Sequence, residues 1–294
     1  MKLSKLKIWA ISTRPKTLLA AVGPIVIGAA MAFSEGGINA VILIITLAAA
    51  VLLQIGTNFA NDYYDFVKGA DTEHRIGPVR ATQAGLVTPA EMKKAFVIAF
   101  GLAVVLGFFL VLKGGTPILI IGIASVVCGL LYTAGPFPLG YLGLGELFVL
   151  IFFGPVAVGG TYYLQRAEIT TEVLAAGLAP GLLASAILAV NNLRDISTDK
   201  TAGKKTMIVR FGYNFAVAEY IFCVITACLI PIYICFSCDR HYFCMLSLLT
   251  LIAACRPIKT VCSKPTAQQL NKVLAQTAVL LIIFSVLFSA GWVL

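Results

Sequence analysis

Long apolar runs alternate with short polar loops along nearly the whole chain, and most of the runs are long enough to cross a bilayer. A membrane-spanning helix needs about 20 predominantly apolar residues. On that criterion the pattern predicts nine helices, at about 17–34, 39–60, 95–112, 117–133, 143–164, 173–192, 214–236, 242–258 and 273–293. Pro24, Pro117, Pro155, Pro180 and Pro231 fall near or within these runs. Membrane helices tolerate them because neighbouring groups satisfy the freed backbone atoms. The expected fold class is all-α and polytopic.

Composition agrees with the pattern. The chain is 60% hydrophobic and 12% charged, against about a quarter charged in soluble domains. A net charge of +9 raises the possibility of nucleic-acid binding, but the placement of the basic residues excludes that reading. Nineteen of the 22 Lys and Arg fall in the N-terminal segment and the alternate loops at 61–94, 193–213 and 256–272, leaving Lys113, Arg166 and Arg240 for the other side. This is the positive-inside pattern. It predicts an integral membrane protein with a cytoplasmic N-terminus and an external C-terminus. No cleavable leader is expected, because the apolar run after the basic N-terminus is long enough to span and has no small-residue cleavage site. Eight cysteines, seven of them after Ile221, lie mostly in apolar runs, where cysteine behaves as a small hydrophobe. Cys235 and Cys238 have C-x-x-C spacing, but no second pair completes a zinc site.

Acid is scarce and concentrated. Of 13 Asp and Glu, five are Asp62, Asp65, Asp71, Asp195 and Asp199. They sit in two segments, Asn61-Asp62-Tyr63-Tyr64-Asp65 and Asn191-Asn192-Leu193-Arg194-Asp195-Ile196-Ser197-Thr198-Asp199, at the ends of the second and sixth expected spans. Residues three or four apart share a helix face, so Gln54, Asn58, Asp62 and Asp65 form one polar stripe. Asn191, Asn192, Asp195 and Asp199 form a second. Carboxylates at a membrane boundary are costly unless solvated, paired or bound to a cation. A single Asp at a helix end is ordinarily a solvated cap, but two matched pairs beneath asparagines point to ligands. Mg²⁺ takes oxygen donors from one or two carboxylates and completes its shell with water and substrate phosphates. Asp62, Asp65, Asp71, Asp195 and Asp199 are therefore the expected metal ligands. Asn58, Asn61, Lys68, Arg75, Arg80, Asn192, Arg194, Lys204 and Lys205 are expected around a diphosphate, with Arg80 joining Asp62, Asp65, Asp195 and Asp199 as catalytic residues. His74 reads as a loop histidine, and His241 lies on the other side.

A third segment, from Tyr132 to Glu146, joins the fourth and fifth spans through a turn rich in Gly and Pro and free of Lys and Arg. Its aromatic residues and Glu146 are expected to wall a pocket for an aryl substrate.

At these residues the chain resembles the UbiA superfamily of intramembrane aromatic prenyltransferases. The resemblance rests on N-D-x-x-D after the second span and D-x-x-x-D after the sixth. It extends to Arg14-Pro15-Lys16-Thr17, Arg75-Ile76-Gly77-Pro78-Val79-Arg80 and Gly203-Lys204-Lys205-Thr206, and it covers essentially the whole chain. It departs at Gly69, where many members carry the third Asp of the first segment; here the acid is Asp71. The resemblance implies a single domain over 1–294, with helices around a central cavity open to the cytoplasm. It also implies a protein of a bacterial inner membrane and a reaction of menaquinone biosynthesis, closest to the naphthoate branch. In that reaction Mg²⁺-dependent transfer of a polyprenyl group from polyprenyl diphosphate to 1,4-dihydroxy-2-naphthoate, with loss of CO₂ and diphosphate, yields demethylmenaquinol. Tyr63, Tyr64 and Tyr132 would then shield an allylic cation. The partners implied are those two substrates and the lipid bilayer. Alternatives are another acceptor (4-hydroxybenzoate, homogentisate, a chlorophyllide or haem) or a cation-coupled transporter. A transporter predicts ionisable residues deep in several spans, whereas here they gather at one face.

Overall fold

The computed structural model describes residues 4–70, 77, 79–238 and 240–294, and every regular element among them is helical. Short α1 (Lys5–Ser12) is capped by Ser4, whose Oγ accepts from Lys7 N at 3.4 Å. It precedes α2 (Pro15–Ser34), which opens on proline, a residue suited to the first helical turn. Asn39 caps α3 (Ala40–Val67), its Oδ1 accepting from Ile42 N at 3.1 Å. A Thr88–Glu91 capping box starts α4 (Pro89–Leu131). The next crossing is composite: α5 (Gly145–Ile151), a π-helical turn (Phe152–Val156) containing Gly154 and Pro155, and α6 (Ala157–Arg166). Then come α7 (Thr171–Arg194), short α8 (Ile196–Thr201) and α9 (Met207–Cys238). A 3₁₀ segment (Tyr242–Leu249) runs into α10 (Thr250–Cys262), and α11 (Ala267–Val293) closes the chain behind a Thr266–Gln269 capping box.

Among the described residues, eight helical runs are long and apolar enough to cross a membrane, against the nine expected. The expected third and fourth spans both lie in α4. At 43 residues it would rise about 64 Å, roughly twice the hydrocarbon thickness. The two spans are linked by one left-handed glycine, Gly115 at φ 63°, so no loop separates them into two elements. A second difference is at the end of the sixth expected span. α7 stops at Arg194, and Asp199 stands on α8, so its stripe crosses a junction at Asp195.

α7 is the most enclosed span, with 72% of its apolar window buried, whereas α3 shows 17% and α4 28%. Small residues allow this enclosure. A Cβ at Gly181 would lie 2.4 Å from the Leu150 carbonyl oxygen, and one at Gly177 would lie 2.8 Å from Pro155 Cα. The π turn is thus seated directly on α7, which fixes the start of α5 beside the α7 C-terminal half. Ser185 Oγ donates to the Glu146 carbonyl at 3.1 Å, locking that register.

At the end of the bundle away from the aspartates, the His241 ring stacks on Trp292 at 4.1 Å, and Trp292 Nε1 donates to Ser34 Oγ at 2.9 Å. His241 belongs to this structural clasp. Cys235 Sγ lies 3.2 Å from Cys244 Sγ there, and both residues are buried; the side chain of Cys238, the other half of the C-x-x-C spacing, lies outside the described residues.

Candidate active site

The C-terminal turns of α3 and α7, the α8 segment and the turn between α4 and α5 meet at one end of the bundle. Asn58, Asn61, Asp62, Asp65, Arg80, Asn192, Arg194, Asp195 and Asp199 are all buried there. Buried charge persists only when paired or hydrogen-bonded, so each partner defines a role.

Asp62 holds backbone. Its Oδ2 accepts from Ala81 N at 3.0 Å and its Oδ1 from Thr82 N at 3.2 Å. The same turn closes on itself through Ala84 N to Arg80 O at 2.9 Å. Asp62 therefore anchors the turn that presents Arg80, and Arg80 Nη2 reaches Asp65 Oδ2 at 2.9 Å. Asn58 braces α3 against the start of α2, donating to Thr13 O at 2.9 Å and Thr17 Oγ1 at 3.0 Å.

Asp65 is the hub. Besides Arg80, its Oδ1 accepts from Tyr141 Oη at 2.7 Å and lies 3.9 Å from Lys204 Nζ. Lys204 Nζ is also 3.3 Å from Asp199 Oδ1, so one ammonium bridges the two aspartate segments. Lys68 and Lys204 flank the Tyr141 ring, at 5.1 and 4.9 Å from its centroid, within range for cation–π attraction. Lys68 Nζ donates to the Thr133 and Gly135 carbonyls at 2.6 and 2.9 Å, and Thr133 Oγ1 donates to Asn61 at 2.8 Å. Desolvation, reinforced by Lys204 and opposed by Asp65, pulls the Lys68 ammonium below its ordinary range. Lys205 contributes backbone, its N donating to Tyr141 O at 2.8 Å, while its side chain is exposed.

On the α7 side, Arg194 forks its own neighbour, with Nε to Asp195 Oδ1 at 2.8 Å and Nη2 to Oδ2 at 2.6 Å. The same guanidinium donates to Asn191 Oδ1 at 2.8 Å and to Asn271 Oδ1 on α11 at 3.0 Å. Asn192 Nδ2 donates to Glu146 Oε1 at 2.8 Å. Among the described residues Glu146 Oε2 is buried without a hydrogen-bond partner, as is Glu219 Oε2 on α9, and the two carboxylates lie in electrostatic reach of each other. Tyr132 packs against Gly140 and Gly145, where a Cβ would come within 3.0 and 2.9 Å of its ring and hydroxyl. Burial, then the charges of Glu146, Asp65 and Asp199, push its phenol above the ordinary range.

The expected residues therefore divide. Tyr63 and Tyr64 are not brought to the cluster; they pack on Phe96 of α4, at 5.7 and 5.9 Å between ring centroids. Helical rotation turns them from the face that carries Asp62 and Asp65. Asp71 and Arg75 lie outside the described residues, as does His74. Two members of the cluster, Asn271 and Glu219, were absent from the sequence-based set, and Tyr141 was expected only among the aromatic residues of the turn from Tyr132 to Glu146, not as a partner of Asp65. Tyr141 had a readable signal, as an aromatic residue in a loop that faces the aspartates and carries no cation of its own.

The donor chemistry suits a hard divalent cation. Asp65 and Asp199 converge from different helices on one cation, the Lys204 ammonium. No group of three His, Cys, Asp or Glu among the described residues forms a ready metal cage. Mg²⁺ needs no such cage: it binds through one or two carboxylates and fills its shell from substrate phosphate and water.

Known proteins share this architecture and sequence. Residues 21–280 match the UbiA prenyltransferase family. A 1,4-dihydroxy-2-naphthoate octaprenyltransferase of Haemophilus influenzae is 37% identical, over 98% of this chain and 96% of its own. The Escherichia coli protein of the same name is 42% identical over 72% of this chain and 70% of its own. Among solved structures, a UbiA homologue from Archaeoglobus fulgidus bound to GPP and Mg²⁺ superposes with a TM-score of 0.64 at 16% identity, covering 96% of this chain and 99% of that one. At that identity the likeness is one of fold. The chain belongs to the UbiA prenyltransferase family.

Proposed function

We propose that the protein transfers a polyprenyl group from polyprenyl diphosphate to 1,4-dihydroxy-2-naphthoate, releasing diphosphate and CO₂ and forming demethylmenaquinol. The observation that carries this reading is the meeting of the two aspartate segments, with Lys204 between Asp65 and Asp199 and Arg80 on Asp65. The naphthoate acceptor is favoured by the names of the relatives that match at 37% and 42% identity. The bias of Lys and Arg supports a cytoplasmic position for this end.

Asp65 and Asp199 would hold Mg²⁺, which when bound supplies positive charge to the departing diphosphate. Lys68, Arg80 and Lys204 bind the remaining phosphate oxygens, arginine as a planar fork and the lysines as point charges. The allylic C–O bond breaks and its electron pair leaves with the diphosphate. These fixed cations stabilise that charge as it develops, without reorganising. Asp62 keeps Arg80 in place through the Ala81–Thr82 turn. The Tyr132 and Tyr141 rings offer π faces to the carbocation. The naphthoate ring carbon that bears the carboxylate then forms the new C–C bond, and cleavage of its bond to the carboxylate returns the electron pair to the ring, restoring aromaticity as CO₂ leaves. Asn192 fixes Glu146 at the wall of the acceptor pocket.

The test is purified protein with Mg²⁺, a polyprenyl diphosphate and a panel of aryl acceptors, read by product mass. A prenylated, decarboxylated naphthoquinol is expected. Consumption of a different acceptor, with the naphthoate untouched, overturns the assignment.

A further inference from the structure

We infer that the cleft between α10 and α11, at the same end as the aspartates, binds the headgroup of an anionic phospholipid. The cleft has a volume of about 180 Å³ and is lined by Arg256, Thr260, Gln269, Lys272, Val273 and Gln276. Arg256 and Thr260 are four residues apart on α10. Gln269, Lys272, Val273 and Gln276 recur at helical spacing on α11, so the two polar faces open toward each other. Asn271, in the same turn of α11 as Lys272, bonds Arg194, which places the cleft at the level of the site.

Charge selects the ligand. Neither Arg256 nor Lys272 makes an ion pair or hydrogen bond among the described residues, and both are exposed. From His241 to the C-terminus the sequence contains no Asp or Glu, so no acid on these two helices can neutralise them. A guanidinium fork, an ammonium and two amides form a donor set for a phosphodiester, while the Thr260 hydroxyl is donated to the Arg256 carbonyl at 3.0 Å. Basic clefts between membrane helices near the headgroup level bind anionic lipids.

What lies deeper separates a lipid from the diphosphate substrate. One turn below Arg256, Ile252 is 71% exposed, with Leu249 at 51% beyond it, and on α11 Val279 is 50% exposed below Gln276. Cations above and bare apolar faces below, on the outer surface of the same two helices, match a headgroup with its acyl chains. The substrate's pyrophosphate has its own cation cluster inside the bundle.

The experiment uses the full chain in neutral detergent. It is offered equal phosphatidylglycerol and phosphatidylcholine, and retained lipid is read by native mass spectrometry. Wild type is expected to retain phosphatidylglycerol preferentially. At about 1 kcal/mol per basic residue, R256Q and K272Q each weaken that preference about fivefold and together about thirtyfold. The two single variants give independent reads should the double variant fail to fold. K259Q, which removes a neighbouring charge outside the cleft, should retain the wild-type preference. Three outcomes overturn the proposal: undiminished preference in both single variants, an equal loss in K259Q, or displacement of the lipid by millimolar inorganic phosphate. The second would mean diffuse surface charge, and the third a site for a soluble anion. None of them bears on the prenyl-transfer assay, so this inference and the proposed reaction fail separately.

Discussion

Tyr141 donates its hydroxyl to Asp65 at 2.7 Å while two lysine ammoniums flank its ring. One side chain thus joins the turn between α4 and α5 to the end of α3 and to the loop that carries Lys204. Hydrogen bonds to charged groups contribute about 1.5–3 kcal/mol. Y141F keeps the ring but loses the bond, so kcat/KM for polyprenyl diphosphate should fall about tenfold to a hundredfold. Steady-state assays in lipid nanodiscs check this; a value within twofold of wild type removes Tyr141 from the site.

The two aspartates of α3 should fail in different ways. Asp62→Ala strips two backbone N–H groups of their acceptor and releases the turn that carries Arg80. Asp65→Ala leaves that turn intact. Both variants should lose turnover, but only Asp62→Ala should speed amide exchange at Ala81 and Thr82, resolved by hydrogen–deuterium exchange mass spectrometry. Equal exchange in the two variants rules out the anchoring role.

Lys204 separates Asp65 from Asp199, and Lys204→Met removes that charge. The Michaelis constant for the diphosphate should rise about tenfold, in keeping with a lost charge-assisted contact. The Mg²⁺ concentration giving half-maximal rate should not rise, because the competing ammonium is gone. Chelation with EDTA should abolish turnover in wild type and added Mg²⁺ should restore it. Full activity in EDTA would exclude the metal.

Asn192→Leu leaves Glu146 without its amide donor, and an unsatisfied buried carboxylate costs about 1–3 kcal/mol or more. The acceptor KM should rise at least fivefold while that for the diphosphate stays within twofold. Glu219→Gln tests whether Glu219, whose Oε2 is buried without a hydrogen-bond partner among the described residues, serves the same pocket, through the same pair of constants. A rise in the diphosphate KM alone would move both residues to the other substrate.

Much of this was legible in one dimension, for physical reasons. Apolar runs of bilayer length report spans directly, and carboxylates are so scarce that their two clusters stand out. The third and fourth expected spans lie in α4 on either side of Gly115, joined by a one-residue break in place of a polar loop. Tyr63 and Tyr64 were grouped with the aspartates by adjacency, although at 100° per residue a helix points them elsewhere. Asp62 accepts from two backbone amides nineteen and twenty residues away, contacts that no side-chain pattern announces. Tyr141 meets Asp65 across 76 residues, a pairing that only the packed bundle creates. The expected division of labour was symmetric, two aspartates per segment. The folded arrangement instead gives Asp62 a scaffolding bond and Asp195 a guanidinium, leaving Asp65 and Asp199 to share an ammonium.

That shared ammonium bears on the interval between turnovers. Two carboxylates facing each other in a poorly hydrated interior repel, and they separate or take up protons unless something neutralises them. Lys204 is tethered there by the chain itself, so the vacated site remains balanced in charge without recruiting ions from bulk water. In the proposed reaction the same ammonium would turn toward the phosphate oxygens, leaving the two carboxylates to hold the metal.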